Sequence, residues 1–164
     1  MITLVVNGIS DKAGEVKRLS TVPKNVGGQS ILDSSNMAGL LNETVIRSDK
    51  YLIETITMNN LVDILPNDYK KVIMKIDIQN YEIKAFKKSD QLFKTLDILA
   101  IFLEWDDKKN AKIFPNSNEI EEFLENLYSK NYTPRDPNGY HKLNRNEWKI
   151  WPYDIIWVRD DFLF

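Results

Sequence analysis

Cysteine is absent from this 164-residue chain, and histidine occurs once, as His141. The lack of cysteine excludes disulfides, thiolate metal sites and a cysteine nucleophile, but it does not indicate a cellular compartment. A single histidine argues against a zinc or di-iron site built from several imidazoles, and we expect His141 to be a surface residue. From these absences we expect no metal centre of the thiolate or imidazole kind.

An excess of positive charge is also lacking, since 22 lysines and arginines stand against 24 aspartates and glutamates. Proteins that bind nucleic-acid phosphates usually carry a clear basic excess, so we expect no nucleic-acid partner. No apolar run approaches the roughly 20 residues that span a bilayer, and the N-terminus has no signal-peptide pattern. The cytoplasm is therefore the default expectation for localisation, while the oligomeric state stays open.

What is present is the composition of an ordinary folded domain, with 43% hydrophobic and 28% charged residues. The length suits a single domain over residues 1–164. One segment, Ser20–Asn42, is polar and rich in glycine, serine and asparagine. We expect this segment to be a long mobile loop without regular structure, which in a compact domain is usually functional or disordered.

Hydrophobic periodicity predicts the order of helices and strands. Strands are expected at Ile2–Val6, Glu15–Leu19, Tyr51–Ile56, Val72–Ile78, Ile98–Glu104, Tyr132–Arg135, Tyr140–Leu143 and Asp154–Val158. Helices are expected between Thr57 and Pro66, over Asn80–Lys88 and Ser89–Thr95, and from Asn116 or Ser117 to Tyr128. The alternation of strands and helices favours an α/β fold with a parallel sheet, and the short final strands favour an antiparallel hairpin.

Two strands of this series are almost continuously apolar and end in a carboxylate. Val72–Ile78 contains Asp77, and Ile98–Glu104 ends in Glu104. Such runs are typical of strands that are buried on both faces, and we expect the two to be parallel neighbours. Because ligands bind beyond the carboxyl ends of strands in open α/β sheets, Asp77 and Glu104 are candidate functional residues at one rim, with Glu82 close by. The structural alternative is that Asp77 caps the next helix and Glu104 is an exposed strand end.

Several segments resemble, in order, the motifs of the FkbM family of methyltransferases. Residues 55–61 resemble its T-L-D-x-L segment, residues 74–82 its K-I-D-V-[EQ]-G-x-E segment, and residues 102–105 its strand that ends in Glu. Within the central motif, the matching residues are Lys75, Ile76, Asp77, Gln79, Tyr81 and Glu82. Residues 4–15 and 27–32 resemble the family's N-x-A-L-S-D-x-x-G and G-G-x-S-L segments.

This resemblance implies a Rossmann-like class I methyltransferase sheet with antiparallel C-terminal strands. It also implies the transfer of a methyl group from S-adenosylmethionine to a hydroxyl oxygen of a small-molecule or glycan acceptor. The residues implied are Asp77 and Glu82 for catalysis, Asn7, Gly8 and Ile9 for the cofactor, and Glu104 and Trp105 for the substrate, with no metal.

The chain departs from the family pattern at its glycines. Asn80 replaces the glycine of the central motif, and asparagine tolerates a positive φ better than most residues. More importantly, none of the six glycines forms the G-x-G loop that lets a backbone approach the cofactor closely. We therefore expect a domain truncated at its N-terminus, as a fragment or a degenerate relative, with impaired cofactor binding.

Two other classes of function stay open. One is a non-catalytic α/β binding module that derives from a methyltransferase. The other is a different α/β enzyme in which Asp77, Glu82 and Glu104 form a carboxylate set for a metal ion.

Overall fold

The structure, a computed structural model, describes residues 4–20, 29–32, 43–66, 71–79, 81–106 and 118–162. Its strands are β1 (Gly8–Ile9), β2 (Val16–Arg18), β3 (Leu52–Ile56), β4 (Lys71–Ile76), β5 (Asp97–Glu104), β6 (Tyr132–Arg135) and β7 (Asp154–Arg159). Its α-helices are α1 (Glu43–Ser48), α2 (Leu61–Ile64), α3 (Glu82–Phe86), α4 (Asp90–Thr95) and α5 (Asn118–Tyr128). Short 3-10 helices cover Met58–Asn60 and Arg145–Ile150.

The described strands form two sheets in a mixed α/β fold. A three-stranded sheet has the order β1-β3-β2, in which β1 is parallel and β2 antiparallel to β3. A four-stranded sheet has the order β4-β5-β7-β6. In the latter, β4 and β5 are parallel, whereas β7 is antiparallel to both β5 and β6. The expected parallel pair and the expected antiparallel C-terminal strands are both confirmed.

One face of the four-stranded sheet carries the main hydrophobic core. Its central residues are Ile101 and Leu103 of β5, whose register partners on β7 are Trp157 and Ile155. Helices α3, α4 and α5 supply the side chains that pack against them, including Ile83, Phe86, Leu92, Ile120, Phe123, Leu124 and Leu127. Burying one such side chain stabilises the fold by about 1.5–3 kcal/mol, so the helices hold β5 and β7 firmly.

A distant asparagine caps helix α4. The side-chain oxygen of Asn59 accepts hydrogen bonds from the backbone N–H groups of Gln91 (2.9 Å) and Leu92 (3.3 Å). Thr57 begins the turn that presents Asn59, since its backbone N–H donates to Asn60 Oδ1 at 2.9 Å. The expected N-cap at Thr57 is confirmed, and its turn also ties the chain after β3 to α4.

Strand β4 is not buried on both faces, which corrects the prediction for Val72–Ile78. Lys71, Ile73 and Lys75 are exposed, and Ile73 keeps 60% of its surface accessible. The reason is position: within the described residues β4 pairs only with β5 and lies at the edge of its sheet. An edge strand with one face open does not need the continuous apolar sequence that the pattern suggested.

Two other strand predictions are wrong. Leu4–Val6 is not a strand, and Leu4 and Val6 are 84% and 75% exposed. Pairing begins only at Gly8, where β1 meets β3. The segment Tyr140–Leu143 forms a single bridge, between Lys142 and Arg135, instead of a strand. In both places an apolar or aromatic pattern is present, but a partner strand over its length is lacking in the described ranges.

The predicted mobile loop Ser20–Asn42 lies mostly outside the described residues. Its described part, residues 29–32, meets the chain after β2 through a bridge between Ile31 and Leu19. The backbone N–H of Ser20 also donates to Ser30 O at 2.8 Å. Near the other gaps, the expected helix start at Asn116 or Ser117 and the residue Asn80 are not described either.

Candidate functional site

Asp77 and Glu104 lie at the same rim of the four-stranded sheet, as predicted. Register pairs Ile76 of β4 with Leu103 of β5, so the next residue on each strand emerges at the same end. The side-chain nitrogen of Gln79 donates to both carboxylates, at 2.9 Å to Asp77 Oδ1 and 3.4 Å to Glu104 Oε2. Gln79 therefore joins the ends of two parallel strands.

The turn after β4 places the Gln79 side chain between the two carboxylates. Gln79 has a φ of 53°, in the left-handed region that most residues avoid. Glu82 holds this turn, because its buried carboxylate accepts the backbone N–H of Ile78 at 3.1 Å. Asn80, where the motif suggested a positive φ, lies outside the described residues. The predicted catalytic role of Glu82 stays a prediction.

Each carboxylate of the rim has a second partner. Asp77 Oδ2 lies 3.3 Å from Lys75 Nζ. Glu104 Oε2 accepts the hydroxyl of Tyr153 at 2.9 Å, and this hydrogen bond is the main cause that raises the pKa of Tyr153 to about 12. Both Asp77 oxygens are therefore engaged, whereas no hydrogen bond to Glu104 Oε1 occurs within the described residues. That oxygen is available to accept a proton or a hydrogen bond from a hydroxyl group.

Sequence reasoning missed Tyr153 and Lys75 as members of this rim. Tyr153 precedes β7, whose first residue, Asp154, is the register partner of Glu104. A signal did exist, because a final strand antiparallel to β5 must begin where β5 ends. Lys75 was matched only as part of a motif, yet its i, i+2 spacing from Asp77 puts both side chains on one face.

Trp105 lies in the core below the rim. It is 2% exposed, and its indole N–H donates to the backbone oxygen of Trp148 at 2.8 Å. Its ring contacts those of Phe123 and Trp151, among others. A ligand cannot reach this ring without opening the core, so the suggested substrate contact stays a prediction that the packing does not favour.

The expected cofactor residues Asn7, Gly8 and Ile9 lie in the other, three-stranded sheet. Asn7 Nδ2 donates to the backbone oxygen of Glu54 at 3.2 Å. A Cβ added to Gly8 would stand 3.0 Å from Ile31 Cδ1, so Gly8 leaves room for a protein side chain. The predicted role of Asn7, Gly8 and Ile9 in binding S-adenosylmethionine stays a prediction.

The hypothesis of a carboxylate metal site finds no support in the described residues. No group of three or more histidine, aspartate or glutamate side chains within them is arranged to hold a metal ion. Glu82 is directed to the Ile78 backbone, apart from the pair that Gln79 joins. Among the helices of these same ranges, none has the length and apolar character to cross a membrane.

Comparison with known proteins identifies the family. The sequence model described as the methyltransferase FkbM domain matches residues 2–132, a span that contains β1 to β5, Asp77, Gln79 and Glu104, but not Tyr153. A search of curated proteins and a search of solved structures each found no match to the chain. Since the match covers well over half of the chain and its order of motifs agrees with the rim geometry, this protein belongs to the FkbM methyltransferase family.

Proposed function

We propose that the rim at Asp77 and Glu104 is the acceptor side of an S-adenosylmethionine-dependent methyltransferase site that methylates a hydroxyl oxygen. The observation that carries this proposal is the Gln79 bridge, which holds two carboxylates at the carboxyl end of parallel strands. Ligands of open α/β sheets bind at that end. The parallel β4–β5 pair with antiparallel β7 is consistent with a Rossmann-like class I sheet.

The residues of the rim would act mainly by positioning. Asp77 is the candidate for orienting the acceptor hydroxyl, with its own geometry fixed by Lys75 and Gln79. Glu104 offers one oxygen to the acceptor while its other oxygen stays bound to Tyr153 and Gln79. Fixing the acceptor in a reactive geometry lowers the barrier of a bimolecular reaction by several kcal/mol, up to about 7–11 kcal/mol in ideal cases.

Binding of the methyl donor to this chain is expected to be weak. No G-x-G loop is present, and the contacts of Asn7 and Gly8 serve the protein itself. Losing two hydrogen bonds to charged groups, at about 1.5–3 kcal/mol each, weakens binding by about two to four orders of magnitude. The same features favour the second candidate, a binding module that retains the acceptor site but no longer transfers a methyl group.

Methyl transfer at a high concentration of cofactor separates these two functions. The assay supplies labelled S-adenosylmethionine at several millimolar with a mixture of hydroxylated small molecules, and it follows label in the acceptors. The enzyme proposal expects slow transfer that Asp77→Asn reduces at least about tenfold, since a charged hydrogen bond is lost. Asp63→Asn, at an exposed carboxylate of α2, is the matched control. Transfer that Asp77→Asn leaves unchanged would contradict the proposed site, and no transfer by any variant would favour the binding module.

A further inference from the structure

Glu82 is a buried carboxylate to which the proposed reaction assigns no part. It is the first residue of α3, and only 6% of its surface is accessible. Burying a charged group costs free energy unless hydrogen bonds compensate for it. One such bond is donated by the Ile78 backbone N–H, which lies 3.1 Å from Glu82 Oε1. This bond ties the start of α3 to the turn that follows β4.

The hydrogen bond at Ile78 restrains the backbone directly before Gln79. A residue other than glycine keeps a φ of 53° only where its surroundings impose that conformation. Since Ile78 immediately precedes Gln79, fixing its N–H limits the backbone rotations that would release the strained residue. In this conformation the Gln79 side chain donates to Asp77 at 2.9 Å and to Glu104 at 3.4 Å. The link between the two rim carboxylates therefore depends on the turn that Glu82 restrains.

Helix α3 gives Glu82 a rigid support. Ile83, Ala85 and Phe86 of this helix are at most 2% exposed. The Phe86 ring packs edge-on against Phe123 of α5, with 5.2 Å between the ring centroids. Groups that orient a functional site need supports whose own conformations are fixed by packing. The position of the Glu82 carboxylate is accordingly set by the hydrophobic core.

These contacts distinguish between two roles for Glu82. A general acid or base must lie within hydrogen-bond reach of the reacting group, whereas Glu82 Oε1 is directed to the Ile78 backbone. We infer that Glu82 is a positioning residue, which sets the turn at Gln79 through the Ile78 backbone and thereby fixes the spacing of the two rim carboxylates. This inference rests on the proposed function, and it assigns Glu82 positioning in place of the catalysis that the family resemblance implied.

NMR of the protein without cofactor or acceptor tests the structural part of this inference. Glu82→Ala removes the acceptor of the Ile78 N–H, so amide exchange at Ile78 should accelerate by at least about tenfold. The side-chain amide signals of Gln79 should at the same time move toward those of a free glutamine. Glu82→Gln keeps a side-chain oxygen that can accept the same N–H, and it should leave both readouts close to wild type.

Ser89→Ala is the matched control for these variants. Ser89 is fully buried, and its hydroxyl donates to the backbone oxygen of Phe86 at 2.7 Å, at the other end of α3. The variant loses a buried hydrogen bond beside the same helix but leaves the turn after β4 intact. It should lower the stability of the protein without changing the signals of Ile78 and Gln79, which separates an effect at the turn from general loosening of α3.

Transfer of labelled methyl groups from S-adenosylmethionine to the mixture of hydroxylated small molecules separates positioning from catalysis. Glu82→Ala should lower the initial rate by at least about tenfold, whereas Glu82→Gln should stay within about threefold of wild type, because small displacements of orienting groups slow a reaction strongly. A catalytic acid or base would lose its function in both variants. Adding Glu82→Ala to Gln79→Gly should lower the rate no further than Gln79→Gly alone, since both changes disrupt one link.

Two results would overturn the inference. The first is Ile78 exchange and Gln79 signals in Glu82→Ala that match wild type, and the second is a Glu82→Gln variant that keeps these signals but loses methyl transfer. Transfer that decreases together with the Gln79 signals across the variants supports the inference. If Glu82→Ala does not fold, as judged by circular dichroism, Glu82→Gln decides by the same criterion. An absence of transfer in the wild type would contradict the proposed function alone, and the NMR measurements would then decide the inference.

Discussion

Asp77 and Glu104 end neighbouring parallel strands and share one hydrogen-bond donor, the side-chain nitrogen of Gln79. This arrangement keeps two negative charges close together, although like charges repel when nothing lies between them. Two further residues complete the rim: Lys75 contacts Asp77 Oδ2, and the Tyr153 hydroxyl donates to Glu104 Oε2. A carboxylate pair that is joined and partly neutralised in this way stays available for hydroxyl groups of a ligand.

The backbone at Gln79 predicts an unusual response to glycine. Because its φ is 53°, Gln79→Gly should be about 1 kcal/mol more stable than Gln79→Ala, since both variants lose the side-chain hydrogen bonds and only glycine adopts this conformation without strain. At Gln91 of helix α4, the matched control, the order should be reversed, with the glycine variant about 0.5–1 kcal/mol less stable than the alanine variant. Urea denaturation measures all four variants, and a Gln79→Gly variant that is no more stable than Gln79→Ala would show that the positive φ carries no strain.

The Tyr153–Glu104 hydrogen bond predicts a dependence on alkaline pH. The pKa of Tyr153 is raised to about 12 in the folded protein, above the value of about 10 for an unperturbed tyrosine. Its contribution to stability is therefore fully present below pH 10 and is lost as the pH rises through 12. The difference in the free energy of unfolding between wild type and Tyr153→Phe should therefore decrease as the pH rises from 10 to 12.

Absorbance at 295 nm follows the same ionisation directly. The difference between wild type and Tyr153→Phe isolates the Tyr153 transition from that of Tyr132, whose pKa burial also raises to about 12. Glu104→Gln should shift the Tyr153 transition toward pH 10, although Asp106 and Asp154 still raise it somewhat. A Tyr153 transition that is the same with and without Glu104 would contradict the hydrogen bond.

Two buried tryptophans allow the hydrogen bond of Trp105 to be measured against packing alone. Trp105 donates its indole N–H to Trp148, whereas the indole nitrogen of the equally buried Trp157 has no hydrogen-bond partner in the described part of the chain. Both lose similar volume on replacement by phenylalanine. We expect Trp105→Phe to destabilise more than Trp157→Phe by about 1–3 kcal/mol, because a buried carbonyl is left unpaired. Equal losses in thermal or urea unfolding would contradict a structural role for the Trp105 indole.

The cap that Asn59 supplies to α4 predicts a local loss of stability. Asn59→Ala removes the acceptor for two backbone N–H groups at the start of the helix and should cost about 1 kcal/mol. Glu122→Ala, at an exposed position of helix α5, serves as the control and should be nearly neutral, since alanine favours helices. Amide exchange at Gln91 and Leu92 should accelerate only in the Asn59 variant; slow exchange there would contradict the cap.

Local patterns predicted much of the fold because they report local physics. The β5 run predicted a buried strand, and the apolar spacing from Ile120 to Tyr128 predicted α5, since each pattern matches the face that is packed. The same patterns did not predict the exposure of β4 and of Leu4–Val6, because that exposure depends on which neighbouring strand or layer is present. An apolar pattern reports what a strand can bury, and only the tertiary structure decides what covers it.

The candidate site was also predictable only in part. Asp77 and Glu104 were predictable because strand ends of a parallel pair meet at one rim. The link between them was not, since it depends on a positive φ at Gln79 and on Tyr153, which is 49 residues from Glu104. The role of Gly8 is not decided by sequence, because a glycine that makes room for a neighbouring side chain, as Gly8 does for Ile31, is indistinguishable in sequence from one that makes room for a ligand.

Isothermal titration of S-adenosylmethionine into the 164-residue chain tests the central claim, an acceptor-side site of the FkbM family with a poorly formed cofactor site. We predict a dissociation constant of about 1 mM or weaker, since no G-x-G loop is present in the chain. A dissociation constant for S-adenosylmethionine in the low micromolar range, as an intact site would give, would contradict the account.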